Sequence, residues 1–246
     1  MHTQPSPIRT LSVIVPAFNE AATITGIFES ILAAPLPEGM ERELVVVNDC
    51  STDATDERVR SYIGAHSTAP IQYLVHERNQ GKGAAIHTGI RVASGDAIIV
   101  QDADLEYDPR EYQALLRPMV EGRADVVYGS RFKGSNPHRI LFFWHSIGNH
   151  ILTFLSNMFT NLNLTDMETC YKLFRADVLK SLPLKEKRFG FEPEVTARIS
   201  RVPGIRIYEI GISYYGRTYA EGKKINWKDG VRAIYCILKY NLWSRS

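Results

Sequence analysis

Apolar and polar positions fall into alternating blocks along the first half of the chain. Leu11-Ser12-Val13-Ile14-Val15-Pro16 is a β-branched run closed by a proline, the signature of a strand buried on both faces. After Asn19-Glu20 the spacing turns helical from Ala22 to Leu32, and Pro35 and Pro37 end it. The alternation then repeats. A strand at Glu43–Asn48 leads through the capping-rich turn Asp49-Cys50-Ser51-Thr52-Asp53 into a charged helix. A strand at Ile71–His76 precedes Gln80-Gly81-Lys82-Gly83, which opens another helix, and strands follow at Ala97–Gln101 and Ala124–Gly129. Strands separated by helices predict βαβ units, hence a Rossmann-like α/β fold with a mostly parallel central sheet flanked by helices. The second half has a different pattern. His138–Thr160 is helical, with Phe142, Phe143, Ile147, Ile151, Phe154, Leu155 and Met158 on one broad apolar face. From Asp229 a second amphipathic helix sets Val231, Ile234, Tyr235, Leu238 and Leu242 among Arg232, Lys239 and Arg245.

Composition narrows the class. A chain of 246 residues, 44% hydrophobic and 23% charged, suits one globular domain with a full core, so residues 1–246 are expected to form a single domain. A net charge of only +2 gives no nucleic-acid footprint, and no nucleic-acid partner is expected. Cys50, Cys170 and Cys236 are far apart and make no C-x-x-C pair, which fits a reducing compartment. No secretory signal is visible. The longest stretch free of formal charge, Ile140–Thr165, holds His145, Asn149, His150 and several other polar residues, too many for a bilayer span.

Candidate chemistry gathers where an open α/β sheet binds ligands, outside the carboxyl ends of its strands. Glu20 follows the first predicted strand, Asp49 the second, and Asp102-Ala103-Asp104 the fourth. Two carboxylates one residue apart can hold a hard divalent ion, Mg²⁺ or Mn²⁺, and a ribose, with substrate phosphates completing the ion's shell. Glu106 is a third possible ligand. The plain alternative is a turn in which aspartates cap; Asp53 in particular is expected to cap its helix. Gly81-Lys82-Gly83 lacks the G-x-x-x-x-G-K-[ST] spacing of a phosphate-binding P-loop. His138, His145 and His150 have no companions at ligand spacing and are not expected to bind metal.

These segments occur in a specific order. Val13-Ile14-Val15-Pro16-Ala17-Phe18-Asn19-Glu20, Val45-Val46-Val47-Asn48-Asp49, Asn79-Gln80-Gly81-Lys82-Gly83, Asp102-Ala103-Asp104, Gly129-Ser130-Arg131 and Phe189-Gly190-Phe191-Glu192 together resemble the family-2 glycosyltransferases of the GT-A fold. Within that family the later segments look most like polyprenyl-phosphate glycosyltransferases, the dolichyl-phosphate mannose and glucose synthases among them. The resemblance implies a nucleotide-sugar-binding half over about residues 10–135 and an acceptor-binding half over about residues 136–246. It implies that Pro16, Ala17 and Glu20 line a base and ribose pocket, that Asp49 meets the base, and that Lys82 lies near the nucleotide. Asp102, Asp104 and Glu106 would manage ribose and metal, and Arg217 and Lys223 would grip the diphosphate. Arg131 would face the acceptor. Asp166, in Thr165-Asp166-Met167-Glu168-Thr169-Cys170-Tyr171-Lys172, would stand near the reacting centre with Asp104. Each charged residue also has a surface or capping alternative.

The function expected from this resemblance is a metal-dependent, inverting transfer of a sugar from a UDP- or GDP-sugar donor. A polyprenyl or dolichyl phosphate at a membrane surface is the expected acceptor, and a soluble or saccharide acceptor the alternative; a non-catalytic scaffold would have lost Asp104 or Asp49. A phosphate acceptor is already ionised at neutral pH, whereas a hydroxyl needs a base, for which Asp166 is the first candidate. The two amphipathic helices could hold the enzyme peripherally at the cytoplasmic face of a membrane, or pack on its own sheet or a second copy.

Overall fold

The computed structural model describes residues 6–134, 139–140, 142–217 and 227–244, Trp227 by its backbone only. Seven strands form one sheet: β1 (Thr10–Ala17), β2 (Glu41–Asn48), β3 (Ile71–Val75), β4 (Ala97–Val100), β5 (Val126–Ser130), β6 (Lys172–Arg175) and β7 (Ile207–Gly211). Their order is β3-β2-β1-β4-β6-β5-β7. β1 pairs in parallel with β2 on one side, Ile14 opposite Val45, and with β4 on the other, Ile14 opposite Val100. Central strands of a sheet covered on both faces must be apolar throughout, and Val13, Ile14, Val15, Val45, Val46, Ile98 and Ile99 are wholly buried. The sheet grows from β1 in both directions, so a crevice opens at the carboxyl ends of β1 and β4, where the strand order reverses.

β6 runs antiparallel to both β4 and β5, with Phe174 opposite Ile98 and Val126. β6 and β7 are not among the five strands that the sequence pattern predicts. β6 is four residues long with Lys172 and Arg175 inside the protein, so its charges hid its burial. β7 is only partly buried at most of its positions and carries Tyr208 and Glu209.

Helices α1 (Ile24–Ala33), α2 (Thr55–Ala65), α3 (Lys82–Val92) and α4 (Tyr112–Val120) connect the first five strands. α1 buries Ile24, Ile27, Phe28 and Ile31, the four residues of one apolar stripe. α3 lies very close to the sheet: a Cβ on Gly89 would come within 2.4 Å of Ile14. Asp53, just ahead of α2, accepts from the Thr55 amide at 3.0 Å and from the Ala21 amide at 3.1 Å, but the N-cap position itself is Ala54, which has no capping side chain.

The remaining helices are α5 (Phe143–Thr160), α6 (Ala176–Ser181), α7 (Phe191–Ile199) and α8 (Trp227–Leu238), the last followed by a π-helical turn, Lys239–Trp243. α7 has no exposed face at all, and its Glu192, Glu194 and Arg198 are buried with the rest. The predicted start of α5 at His138 lies outside the described residues; the helix seen begins at Phe143. Only Thr153 and Ser156 of α5 are buried, although Leu152, Leu155 and Phe159 rest against the core. Its apolar stripe is largely uncovered: Phe143 and Phe154 are each 66% exposed and Trp144 78%. α8 packs beside α5 and α7, with Val231, Tyr235 and, beyond it, Trp243 exposed. Among the described residues no helix is long and apolar enough to cross a membrane.

Candidate active site

The loops after β1 and β2 are stitched together before any ligand is considered. The Asn19 amide donates to Ser51 Oγ at 3.0 Å, Asn19 Oδ1 accepts from the Thr52 amide at 2.8 Å, and the Glu20 amide donates to Thr55 Oγ1 at 2.9 Å. Asn19 takes φ 55°, a left-handed conformation that asparagine tolerates. Asp49, 2% exposed, anchors the next loop. Its Oδ1 meets His76 Nδ1 at 2.7 Å and the Gln80 amide at 2.9 Å, while Oδ2 accepts from the Gly81 amide at 2.7 Å. Gly81 turns there with φ 99°, and a Cβ on it would lie 2.5 Å from the Lys187 carbonyl. This turn points Lys82 at the end of β4, where its Nζ pairs with Asp102 Oδ1 at 2.7 Å. Burial would lower the lysine's pKa, but Asp102, Cys170 and Glu192 together outweigh it and raise the pKa well above the ordinary value, so the ammonium stays charged.

Asp104 and Glu106 follow on the same loop. Arg217 bridges them, with Nη2 2.8 Å from Asp104 Oδ2 and Nε 3.1 Å from Glu106 Oε1. Glu106 also accepts from the Tyr214 hydroxyl at 2.6 Å and from the Arg217 amide at 3.0 Å. Burial raises the Asp104 pKa, and the neighbouring Asp102 and Glu106 add to the rise despite Arg217. Three carboxylates against two cations therefore leave excess negative charge at one wall. That is the charge pattern a divalent cation relieves. Among the described residues no three acidic, imidazole or thiol groups converge into a self-sufficient metal cage. An ion here would be held by one or two aspartates, with oxygen from a bound phosphate completing its shell.

On the far side, Arg131 at the end of β5 is clamped by Asp166. Its Nε and Nη2 each lie 2.7 Å from a carboxylate oxygen, and its amide donates to Oδ2 at 3.0 Å. Asn149 Nδ2 from α5 donates to Oδ1 at 3.0 Å. Asp166 is fully buried; burial alone would raise its pKa, but Arg131 and these hydrogen bonds pull it below the usual carboxylate value. The guanidinium lies 5.2 Å from the Tyr214 ring centre, which links this clamp to Glu106 and Arg217.

A cavity of about 920 Å³ lies between the two walls. Pro16, Ala17, Glu20, Asp49, Lys82, Asp102, Asp104, Glu106, Arg131 and Arg217 all line it. Asp166 does not; it works from behind Arg131. Lys223 lies outside the described residues. The cavity also takes in residues not anticipated from the sequence, including Phe18, Asn149, Glu168, Cys170, Arg188 and Tyr214. Glu168 sat within a segment already singled out, but Asn149 belongs to an apolar helical stretch with no local mark of function. Trp144, His145 and Leu152 of α5 and Gly230 and Ala233 of α8 close the same cavity. Each of these helices thus shows one side to the cavity and an apolar side to the outside.

A doubly covered, mostly parallel sheet with a D-x-D loop at its switch point defines an α/β protein whose crevice gathers carboxylates and cations at the strand ends. Comparison with known proteins makes this specific. The family model for glycosyl transferase family 2 matches residues 12–182. The chain belongs to glycosyl transferase family 2 and is a glycosyltransferase. It is 29% identical over 91% of its length to a dodecaprenyl-phosphate galacturonate synthase of Rhizobium johnstonii, covering 67% of that protein. It is 26% identical over 89% of its length to an undecaprenyl-phosphate 4-deoxy-4-formamido-L-arabinose transferase of Pseudomonas aeruginosa, covering 62% of it. The chain thus spans about two thirds or less of the length of these relatives. Among solved structures, glucosyl-3-phosphoglycerate synthase of Mycobacterium tuberculosis in complex with Mn²⁺, UDP and glucosyl-3-phosphoglycerate superposes with a TM-score of 0.72 at 22% identity, covering 95% of this chain and 80% of that one. That similarity shows the GT-A fold.

Proposed function

We propose that the enzyme transfers a sugar, with inversion, from a UDP- or GDP-sugar to a polyprenyl phosphate at a membrane surface. One observation carries this reading: donor-side charges and two helices with bare apolar outer faces enclose the same cavity. Support comes from the relatives, whose names contain dodecaprenyl phosphate and undecaprenyl phosphate. The donor's base would lie along Pro16, Ala17 and Phe18, near Asp49 and Glu20. Lys82 and Arg217 would meet the diphosphate.

A Mg²⁺ or Mn²⁺ ion would be held by Asp102 and Asp104; Glu106, occupied by Tyr214 and Arg217, would orient the arginine and stand beside the ion. When bound, such an ion neutralises a diphosphate leaving group. The similar synthase structure contains Mn²⁺ with UDP. Arg131 would receive the acceptor's phosphate, fixed for that task by Asp166. A phosphate monoester needs no base, and Asp166, saturated by Arg131 and Asn149, suits a positioning role better than proton abstraction. Alignment and charge stabilisation would then supply most of the acceleration. α5 and α8 would rest on the membrane through Phe143, Trp144, Phe154, Tyr235 and Trp243, bringing the cavity mouth to the acceptor's headgroup.

The test is a thermal-shift and transfer assay with UDP, GDP and their hexose conjugates, with and without Mn²⁺, using vesicles that contain undecaprenyl phosphate. The expected result is a shift for one nucleotide that requires metal, sugar transfer to the lipid, and loss of both in Asp104→Ala. Transfer that proceeds undiminished in Asp104→Ala or under chelation would overturn the metal assignment. Transfer to a water-soluble acceptor alone would overturn the lipid one.

A further inference from the structure

One wall of the cavity presents hydrogen-bond acceptors that none of the described residues satisfies. Asp166 is ionised beside Arg131, so Asn149 must turn its amide NH₂ toward it, and this directs Asn149 Oδ1 the other way. That oxygen is enclosed and, among the described residues, receives no donor. Glu168, two residues after Asp166, has its Oε1 enclosed and equally without a donor. Glu192, in the first turn of α7 and 7% exposed, adds its carboxylate. All three residues line the cavity. Buried acceptors without partners are uncommon in folded proteins because desolvation is then uncompensated, and such groups usually await a ligand or water.

The chemistry of the missing partner follows from what the wall lacks. It offers acceptors, so the ligand must bring donors. It already carries two carboxyl groups; burial raises the Glu168 pKa and the nearby Glu192 adds to the rise, with Lys172 opposing. A phosphate or carboxylate would bring more acceptors and more negative charge. A ring bearing several hydroxyls brings neutral O–H donors in the right number.

Building on the donor reading above, we propose that Asn149, Glu168 and Glu192 form the subsite for the transferred sugar, accepting hydrogen bonds from its hydroxyls, and that this sugar carries no carboxylate. The donor would then differ in kind from the galacturonate named for the Rhizobium johnstonii relative.

The test is calorimetric titration of the full chain in Mn²⁺ with UDP, UDP-glucose, UDP-galacturonate, GDP and GDP-mannose. The readout is the affinity gained from the sugar over the bare nucleoside diphosphate. In the parent, one neutral hexose conjugate is expected to bind more tightly than its diphosphate, and UDP-galacturonate no more tightly than UDP. Glu168→Leu and Glu192→Gln should each lose about tenfold of that gain, with diphosphate affinity within about twofold of the parent. Melting curves of both variants accompany the titrations, and a cooperative transition in each shows that a lost sugar gain is not a lost fold. A sugar gain unchanged in both variants, or UDP-galacturonate binding as tightly as the hexose conjugate, overturns the subsite while leaving the donor reading in place. Failure of the parent to bind any nucleoside diphosphate overturns the donor reading itself, and this proposal with it.

Discussion

Replacing Asp166 by asparagine removes the charge opposite Arg131 and leaves the shape almost unchanged. In the parent, two bonds of 2.7 Å and one of 3.0 Å tie Arg131 to this carboxylate, which is fully buried, while the arginine side chain is 13% exposed. Removing one partner of such a pair leaves an uncompensated buried charge, at a cost of about 3–5 kcal/mol. For a chain of this size each kcal/mol lowers the melting temperature by about 2–4 °C, so Asp166→Asn should melt roughly 6–20 °C below the parent. Transfer activity should fall with it, because Arg131 loses its fixed direction. The double variant Arg131→Met, Asp166→Leu should recover most of the stability and none of the activity, since a well-packed apolar pair can replace a buried ion pair. Circular dichroism melts beside a transfer assay decide the matter. A melting temperature within about 2 °C of the parent, with activity abolished, would refute the brace and make Asp166 a chemical group in its own right.

Three further outcomes are expected. Gly81→Ala should weaken nucleotide binding at least tenfold and destabilise the fold by about 1–3 kcal/mol, because φ 99° and the Lys187 carbonyl at 2.5 Å leave no place for a methyl group; titration and urea melts measure both. Glu186 accepts from Arg232, Lys239 and Tyr240 of the C-terminal helical segment; burial would raise its pKa, but those hydrogen bonds bring it down to about 2. A depressed carboxylate stabilises above its unfolded value of about 4.3 and loses that contribution as pH falls toward 2, so the parent's melting temperature should fall more steeply over that window than that of Glu186→Gln. Phe143→Ser with Phe154→Ser should leave the melting temperature within about 2 °C, since both side chains are largely exposed, yet abolish sedimentation with anionic vesicles; full retention on vesicles would remove the lipid-docking role of α5.

The amino-acid sequence specifies the parallel half of the sheet without reference to the fold. β1, β2 and β4 lie between neighbours and under helices on both faces, so nearly every position must be apolar, and a run such as Val13-Ile14-Val15 can be read without knowing its partners. It also determined that Asp49, Lys82, Asp102 and Asp104 would meet, because strand ends in an open α/β sheet share one edge whatever the loops do. The rest depends on how the elements pack together. β6 and α7 carry charges in the interior, and Lys172, Glu194 and Arg198 look like surface residues until their burial is seen. Asp166 stands in the sequence as the candidate base for a hydroxyl acceptor; its hydrogen bonds to Arg131 and Asn149 are not legible there, because only the fold brings Asn149 and the end of β5 onto it from residues 17 and 35 positions away. The apolar stripe of α5 was legible, but not that it would stay uncovered: amphipathicity fixes which face seeks burial, and only the assembled fold shows whether anything lies against it.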